Sequence, residues 1–342
     1  MQDGISVIIM TLNEEQTLAR ALNSLSGIAD QIVIVDTGST DATLSIARSH
    51  VLQPEVYEKI WSDDFSAIRN HALSLCKYQY CFVLDADEYI DDACRSAVRN
   101  IIKKSMLKDP HALYAPVIDN LNGHILRNNP RIFFRRETLE YRGRVHEYLH
   151  DEDSTQLVTL DGIIIIHTGY QFEAYEGKQK NARNSRLLRL QIAEEPENFR
   201  WKYFILRYLD HASSEALAVL NDFGDLPLPY SSNIEVYAFN AKSRLIMCLL
   251  EKGEYCTALA HASQLYTYYK DYDTTLLFTE ATYQASYQQF RQDIQTIEAL
   301  LDKSESLTED EYLHEKFPLE RTVNIRANVS TLRAAMNNID EK

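Results

Sequence analysis

Two short runs of β-branched and apolar residues, Ile5 to Met10 and Gln31 to Val35, stand one helix-length apart, and that spacing constrains the fold of this 342-residue chain most tightly. Between them Leu18, Ala21, Leu22 and Leu25 recur at helical spacing behind Asn13, a capping residue with Gln16 placed for a capping box. Strand, helix and strand make a βαβ unit. The device repeats, with Tyr80 to Leu84 and Ile163 to Ile166 reading as buried strands. Ala42 to His50 and Asp91 to Lys104 read as helices, with Asp41 and Asp91 as caps. The class is α/β.

From about Asn181 onward no strand pattern survives, and Tyr, Leu, Ala and Gln fill amphipathic stretches. We therefore expect an α/β domain over residues 1–190 and a helical domain over 191–342. In the second, Ala241 to Leu250, a turn at Glu251 to Glu254 and Tyr255 to Tyr268 form one helical hairpin. Thr279 to Tyr287 and Phe290 to Leu301 form another, and Tyr255 aligns with Phe290 at about the period of a tetratricopeptide unit. A small irregular helical domain is the competing reading. Glu309 to Lys342 reads as polar and frayed.

Subtracting 50 acidic from 35 basic residues gives a net charge of −15, which opposes attraction to nucleic acid or anionic lipid. A nucleotide ligand then needs local neutralisation, by a metal ion or by a few placed arginines. The apolar runs fall far short of the roughly 20 residues that a bilayer span needs, so no membrane span and a cytoplasmic location are expected. Five cysteines without CxxC pairing indicate neither a disulfide framework nor a zinc knuckle.

The chemistry concentrates at strand ends. Tyr80 to Leu84 runs into Asp85-Ala86-Asp87-Glu88, which crowds carboxylates at the C-terminal end of a strand, where open α/β sheets place ligands. Two aspartates one residue apart suit a hard divalent cation that bridges phosphate oxygens; the alternative is a turn before the next helix. The first strand ends in Thr11-Leu12-Asn13-Glu14 and the second in Asp36-Thr37-Gly38-Ser39-Thr40-Asp41. Asp36 is placed to bond a base or ribose, while Gly38 and Ser39 permit a tight turn against a ligand. Asn13 and Asp41 serve equally as helix caps. Thr11 to Gln16 has no glycine, so the dinucleotide fingerprint GxGxxG fails. A haloacid-dehalogenase phosphatase also fails, because the aspartates are not on the first strand and no downstream GDxxxD-like cluster follows.

The ordered segments "VIIMTLNE" at 7–14, "IVIVDTGSTD" at 32–41, "FSAIRNHA" at 65–72 and "LDADE" at 84–88 resemble a family 2 glycosyltransferase of the GT-A fold. The later "RIFFRR", "RGRVHE" and "HTGY" resemble a bacterial subgroup with a helical, often tetratricopeptide-like, C-terminal domain, similar to peptide S-glycosyltransferases. The resemblance implies that Thr11, Asn13, Glu14 and Asp36 line the nucleotide pocket, with Asp36 facing uracil. Asp85, beside Ala86, would hold the ribose or sugar. Asp87 would ligate Mn²⁺ or Mg²⁺, with His167 as the second ligand; a half-buried histidine satisfied by backbone is the alternative. Arg69 either reaches the phosphates or pairs with Asp63 or Asp64. Lys178, Lys180, Arg183, Arg186 and Arg189 form either a lid or a solvated helix face.

Inverting transfer needs a base on the far face of the sugar. Within Arg142-Gly-Arg-Val-His-Glu147 we expect Glu147 in that role and His146 as runner-up, although the ED motif of many family members is missing. The expected enzyme is metal-dependent and moves a hexosyl or N-acetylhexosaminyl group from a UDP-sugar to a peptide or protein side chain. The alternatives are a saccharide or lipid-linked acceptor, or a helical interaction protein on a degenerate transferase domain. A homodimer through the helical domain is a further expectation.

Overall fold

The computed structural model describes residues 2–153, 156–168, 173–211, 213–306 and 319–340. The chain divides into two compact units, Met1–Tyr208 and Leu209–Lys342.

The first unit alternates strands and helices: β1 (Gln2–Thr11), α1 (Leu18–Ser24), β2 (Gln31–Asp36), α2 (Thr43–Ser49), β3 (Glu55–Glu58), α3 (Phe65–Ser74), β4 (Tyr78–Val83), β5 (Glu88–Ile90) and α4 (Asp92–Lys108). It continues through β6 (Leu113–Asp119), β7 (Ile125–Leu126), β8 (Ile132–Phe134), β9 (Glu140–Arg142), β10 (Tyr148–His150), β11 (Leu157–His167), α5 (Glu173–Glu194) and α6 (Phe199–Ile205).

The main sheet runs β3-β2-β1-β4-β8-β6-β11-β5, with β7 on β6. β3, β2, β1 and β4 are parallel neighbours. β8 lies antiparallel between β4 and β6, so β6 points the same way as β4, and β11 pairs parallel to β6. Thr11, Asp36, Asp119 and His167, the last residues of their strands, therefore share one sheet edge, and Asp85 follows β4 onto the same edge. β5 turns back antiparallel and sets Glu88 opposite His167.

The strands read as unbroken apolar runs because both faces are covered. In β1, Val7 and Ile9 enter a core with Leu18, Leu22, Val98 and Ile102 of α1 and α4, while Ile8 enters another with Ile68 and Ala72 of α3. Burying an aliphatic side chain fully is worth about 1.5–3 kcal/mol, so a register slip in such a strand costs on both faces at once.

The helical unit comprises α7 (Ser214–Gly224), α8 (Glu235–Glu251), α9 (Tyr255–Tyr268), α10 (Tyr272–Ser306) and α11 (Leu319–Asp340). α7 packs on α8, α8 on α9, α9 on α10 and α10 on α11.

Several boundaries differ from expectation. The expected first hairpin matches α8 and α9, but the expected second one is the single 35-residue helix α10, because no Gly or Pro between Tyr287 and Phe290 breaks it. The units divide after Tyr208, later than residue 190, because α6 packs against α5. α1 starts at Leu18 behind Thr17, so Asn13 is not its cap. Asn13 instead sits at φ 57°, a left-handed conformation that asparagine tolerates. Among the described residues no helix is long and apolar enough to cross a membrane.

Candidate active site

The β1 and β2 ends are tied into one loop cluster. Asp36 Oδ1 accepts from Thr11 Oγ1 at 2.9 Å and Ser39 Oγ at 2.5 Å, and its Oδ2 accepts from the N–H groups of Gly38 and Ser39 at 3.0 and 2.9 Å. Burial raises the Asp36 carboxyl, and these hydrogen bonds from Ser39, Gly38 and Thr11 outweigh it, so the group is held below its usual range. All four acceptor positions of the carboxylate are therefore engaged. Asp36, expected to face uracil, braces the loop that a nucleotide would meet, and a bond to a base would displace one of these four.

Gly38 supplies φ 119° for that turn. Asn13 Oδ1 accepts from the Thr40 N–H, and the Asn13 N–H donates to Ser39 Oγ, each at 2.8 Å. Glu14 accepts from Thr17 Oγ1 at 2.6 Å while its N–H donates to Thr43 Oγ1 at 2.7 Å. Asp41, expected to cap α2, stands one residue before its N-cap Ala42; its carboxylate accepts from the Thr43 N–H and from the Glu15 N–H.

At the β4 end, Asp85 lies between two arginines. Arg69 Nη2 donates to Asp85 Oδ1 at 3.1 Å and Arg131 Nη2 to Oδ2 at 2.8 Å. Burial raises the Asp85 carboxyl, and the adjacent Arg131 and Arg69 charges overcome it and hold it far below the usual carboxylate range. Arg131 also bonds Glu88 Oε1 at 2.9 Å, and Glu88 Oε2 accepts the Asp85 N–H at 2.9 Å. Burial pushes Glu88 up to about 7 despite Arg131. Ala86 is part of the main core and takes no share in the cavity wall.

Arg69 thus pairs neither with Asp63 nor with Asp64, which are committed elsewhere. Asp64 caps α3 by accepting the Ala67 N–H at 3.0 Å, and Asp63 holds Arg186 at 2.7 Å. That pair removes Arg186 from the expected basic set; Gly169 and Tyr170 of the "HTGY" segment and the Lys178 side chain lie outside the described residues.

Asp87 and His167 meet as expected. His167 Nε2 stands 3.1 Å from Asp87 Oδ2, and its Nδ1 stands 2.8 Å from Asn120 Oδ1, just beyond the end of β6. With Asn120 accepting, Nδ1 carries the ring hydrogen and Nε2 presents a lone pair to a carboxylate oxygen. Two acceptors at this distance need a cation between them, either a proton or a metal ion. Burial lowers the His167 pKa, and the Asp87 carboxylate outweighs it and raises it overall. A carboxylate oxygen with an imidazole nitrogen suits a divalent ion of the Mn²⁺ or Mg²⁺ kind, and Asn120 is the outer partner that fixes the ring. The donor set fits. Among the described residues no third His, Cys, Asp or Glu joins it.

At Asp85 a cavity of about 310 Å³ is lined by Arg69, Asp85, Asn129, Pro130, Arg131, Tyr141, His146, Glu147, Arg200 and Phe204. Glu147 belongs to this wall, but it pairs with Arg69 Nε at 2.7 Å and not with Arg142 or Arg144, which bond Glu140 and Glu194. Its Oε2 has no hydrogen-bond partner among the described residues. His146 is already occupied: Nε2 lies 2.8 Å from the Tyr208 hydroxyl, and the ring stacks on Phe204 at 4.4 Å. Burial, helped by the Arg207 charge, lowers His146 to about 4, too low for an effective base near neutral pH.

Asn120, Arg131, Tyr141, Arg200 and Phe204 escaped the sequence reading. Arg131 opens the "RIFFRR" segment and was visible as a motif without a partner; the others lack a local pattern.

The geometry defines a class: a GT-A-type domain, in which a largely parallel sheet delivers its ligand-facing carboxylates to one edge. Residues 6–160 match the model of glycosyl transferase family 2, and the N-terminal unit carries a domain of that family. The SPbeta prophage-derived glycosyltransferase SunS of Bacillus subtilis (strain 168) is 26% identical over 205 residues, 59% of this chain and 48% of the relative. The TPR repeat-containing protein Synpcc7942_0270 of Synechococcus elongatus is 26% identical over 205 residues, 57% of this chain and 49% of the relative. The crystal structure of S. aureus TarS 1–349 aligns with a TM-score of 0.40 at 15% identity over 84% of this chain and 91% of that one. The chain spans about half the length of these curated relatives.

Proposed function

We propose that this chain is a metal-dependent, inverting transferase that moves a sugar from a UDP-sugar to a peptide or protein side chain. The observation that carries this reading is the Asp87–His167 pair, 3.1 Å apart at the ligand-binding sheet edge and oriented by Asn120. A divalent ion held there supplies charge neutralisation for a diphosphate leaving group. The chain's own residues do the rest. Thr11, Asn13, Asp36 and Ser39 shape the nucleotide loop, Asp85 faces the sugar, and Glu147 takes the acceptor proton. A peptide thiol or hydroxyl is the favoured acceptor because a separate helical unit offers a docking surface for a large partner. The uridine preference rests on the resemblance of the strand-end motifs to the GT-A family.

The experiment is a thermal-shift panel of UDP-, GDP-, dTDP- and CMP-sugars with and without Mn²⁺. A ligand at 100 times its dissociation constant adds about 2.7 kcal/mol of stability, so a UDP-sugar with Mn²⁺ should raise Tm by several degrees. A shift given only by the other nucleotides, or one indifferent to Mn²⁺, contradicts the reading.

A further inference from the structure

The base and the donor-side aspartate are held by one side chain. Arg69 projects from the middle of α3, and its side chain is 9% exposed. Its Nε donates to Glu147 Oε1 at 2.7 Å and its Nη2 to Asp85 Oδ1 at 3.1 Å, while Nη1 is buried with no partner. Glu147 and Asp85 come from different parts of the fold, one after β9 in the "RGRVHE" loop and the other at the end of β4. Among the described residues they share no direct hydrogen bond, and although Arg131 also holds Asp85, the side chain that bonds both carboxylates is the rigid planar fork of Arg69. Around it the Tyr141 ring lies 5.4 Å from the guanidinium carbon, and Asn70 fixes Tyr141 by bonding its N–H and C=O at 2.7 and 2.8 Å. The α3 segment thus locks both the arginine and the ring beneath it.

We propose that Arg69 is a positioning residue that sets the general base against the donor sugar, acting on transfer through Glu147 and on donor binding through Asp85. The inference rests on the proposed roles of Glu147 and Asp85. Because the base lies at the end of a loop, a carboxylate freed from Arg69 samples other rotamers. A misplacement on the order of 1 Å can cost about 10²-fold in rate. Lysine keeps the charge but bonds as a single point, so it cannot hold two carboxylates in fixed register.

The test is a double-mutant cycle on the full chain. Arg69→Lys, Glu147→Gln and the double variant are assayed for UDP release from UDP-glucose or UDP-N-acetylglucosamine with Mn²⁺, using water and a synthetic cysteine-containing peptide as acceptors. UDP affinity and Tm are measured on the same samples. We expect Arg69→Lys to lower kcat about 10²-fold in the native background but less than about 3-fold once Glu147 is Gln, while donor KM rises in both backgrounds. A structural role alone would lower Tm and move both parameters equally in both backgrounds. Full multiplicativity of the kcat losses, with Glu147→Gln itself slowed about 10²-fold or more but still measurable, overturns the link and leaves the base intact. A normal rate for Glu147→Gln overturns the base and the link together. Should Arg69→Lys fail to fold, Asp85→Asn and Glu147→Gln give the same cycle from the other two corners, and independence of their kcat and KM effects overturns the proposal.

Discussion

At the residue scale the account turns on which carboxylates meet a ligand and which brace the fold. Asp87 contacts His167 and stands outside the Arg131 network that holds Asp85 and Glu88. Asp87→Asn should therefore lower turnover by 10²-fold or more while Tm changes by only a few degrees, checked by initial rates and thermal melts. Asn120→Ala should leave the nucleotide loop intact and weaken Mn²⁺ roughly 10–100-fold, the usual cost of losing an outer partner to a ligating histidine, as read by metal titration of UDP-sugar hydrolysis. His146 gives a pH signature. Burial holds its folded pKa at about 4, below the ordinary histidine value of about 6.5, so its contribution is present above about 6.5 and is lost as pH falls toward 4. The denaturant midpoint should drop across that window, and His146→Gln should flatten the slope. That Asp87 and His167 come together was legible because one follows the apolar strand β4 and the other ends the apolar strand β11. Arg131 and Asn120 were not, since their roles depend on β6 and β8 being neighbours.

At the level of elements, β1, β2, β4, the end of β11 and the Asp91-capped α4 were legible, whereas β6, whose run holds Tyr114 and Pro116, and the shortest strands were not. β8, β9 and β10 have three residues each, too few to show a period. β10 nevertheless runs on from His146 and Glu147, and β9 ends at the loop that carries them. Gly143 in that loop adopts φ 104°, and a Cβ there would stand 2.3 Å from the Trp201 ring. Gly143→Ala should destabilise the first unit by roughly 1–3 kcal/mol, since overpacking and a disfavoured backbone act together; urea unfolding followed by Trp201 fluorescence reads it directly. The break expected inside α10 failed for the opposite reason, a weak repeat alignment set against a sequence with no helix breaker.

For the whole molecule, the two-part organisation was legible from the change of texture, but its boundary was not. α6 looks like the start of the helical half in sequence, yet Arg200 and Phe204 line the cavity and Tyr208 bonds His146. A chain ending after Tyr208 should bind UDP with Mn²⁺ yet transfer poorly to a peptide, whereas one ending after Glu194 should lose the cavity wall and UDP-sugar turnover as well. Full peptide transfer by the Tyr208 truncation would refute the docking role of the helical unit. The central claim, a nucleotide diphosphate held through a divalent ion at Asp87 and His167, is tested most directly by calorimetric titration of UDP into the native chain and Asp87→Asn, with and without Mn²⁺. The account predicts that Mn²⁺ tightens UDP at least about tenfold in the native chain and leaves Asp87→Asn unchanged. Equal Mn²⁺ enhancement in both proteins, or none in the native chain, would contradict it.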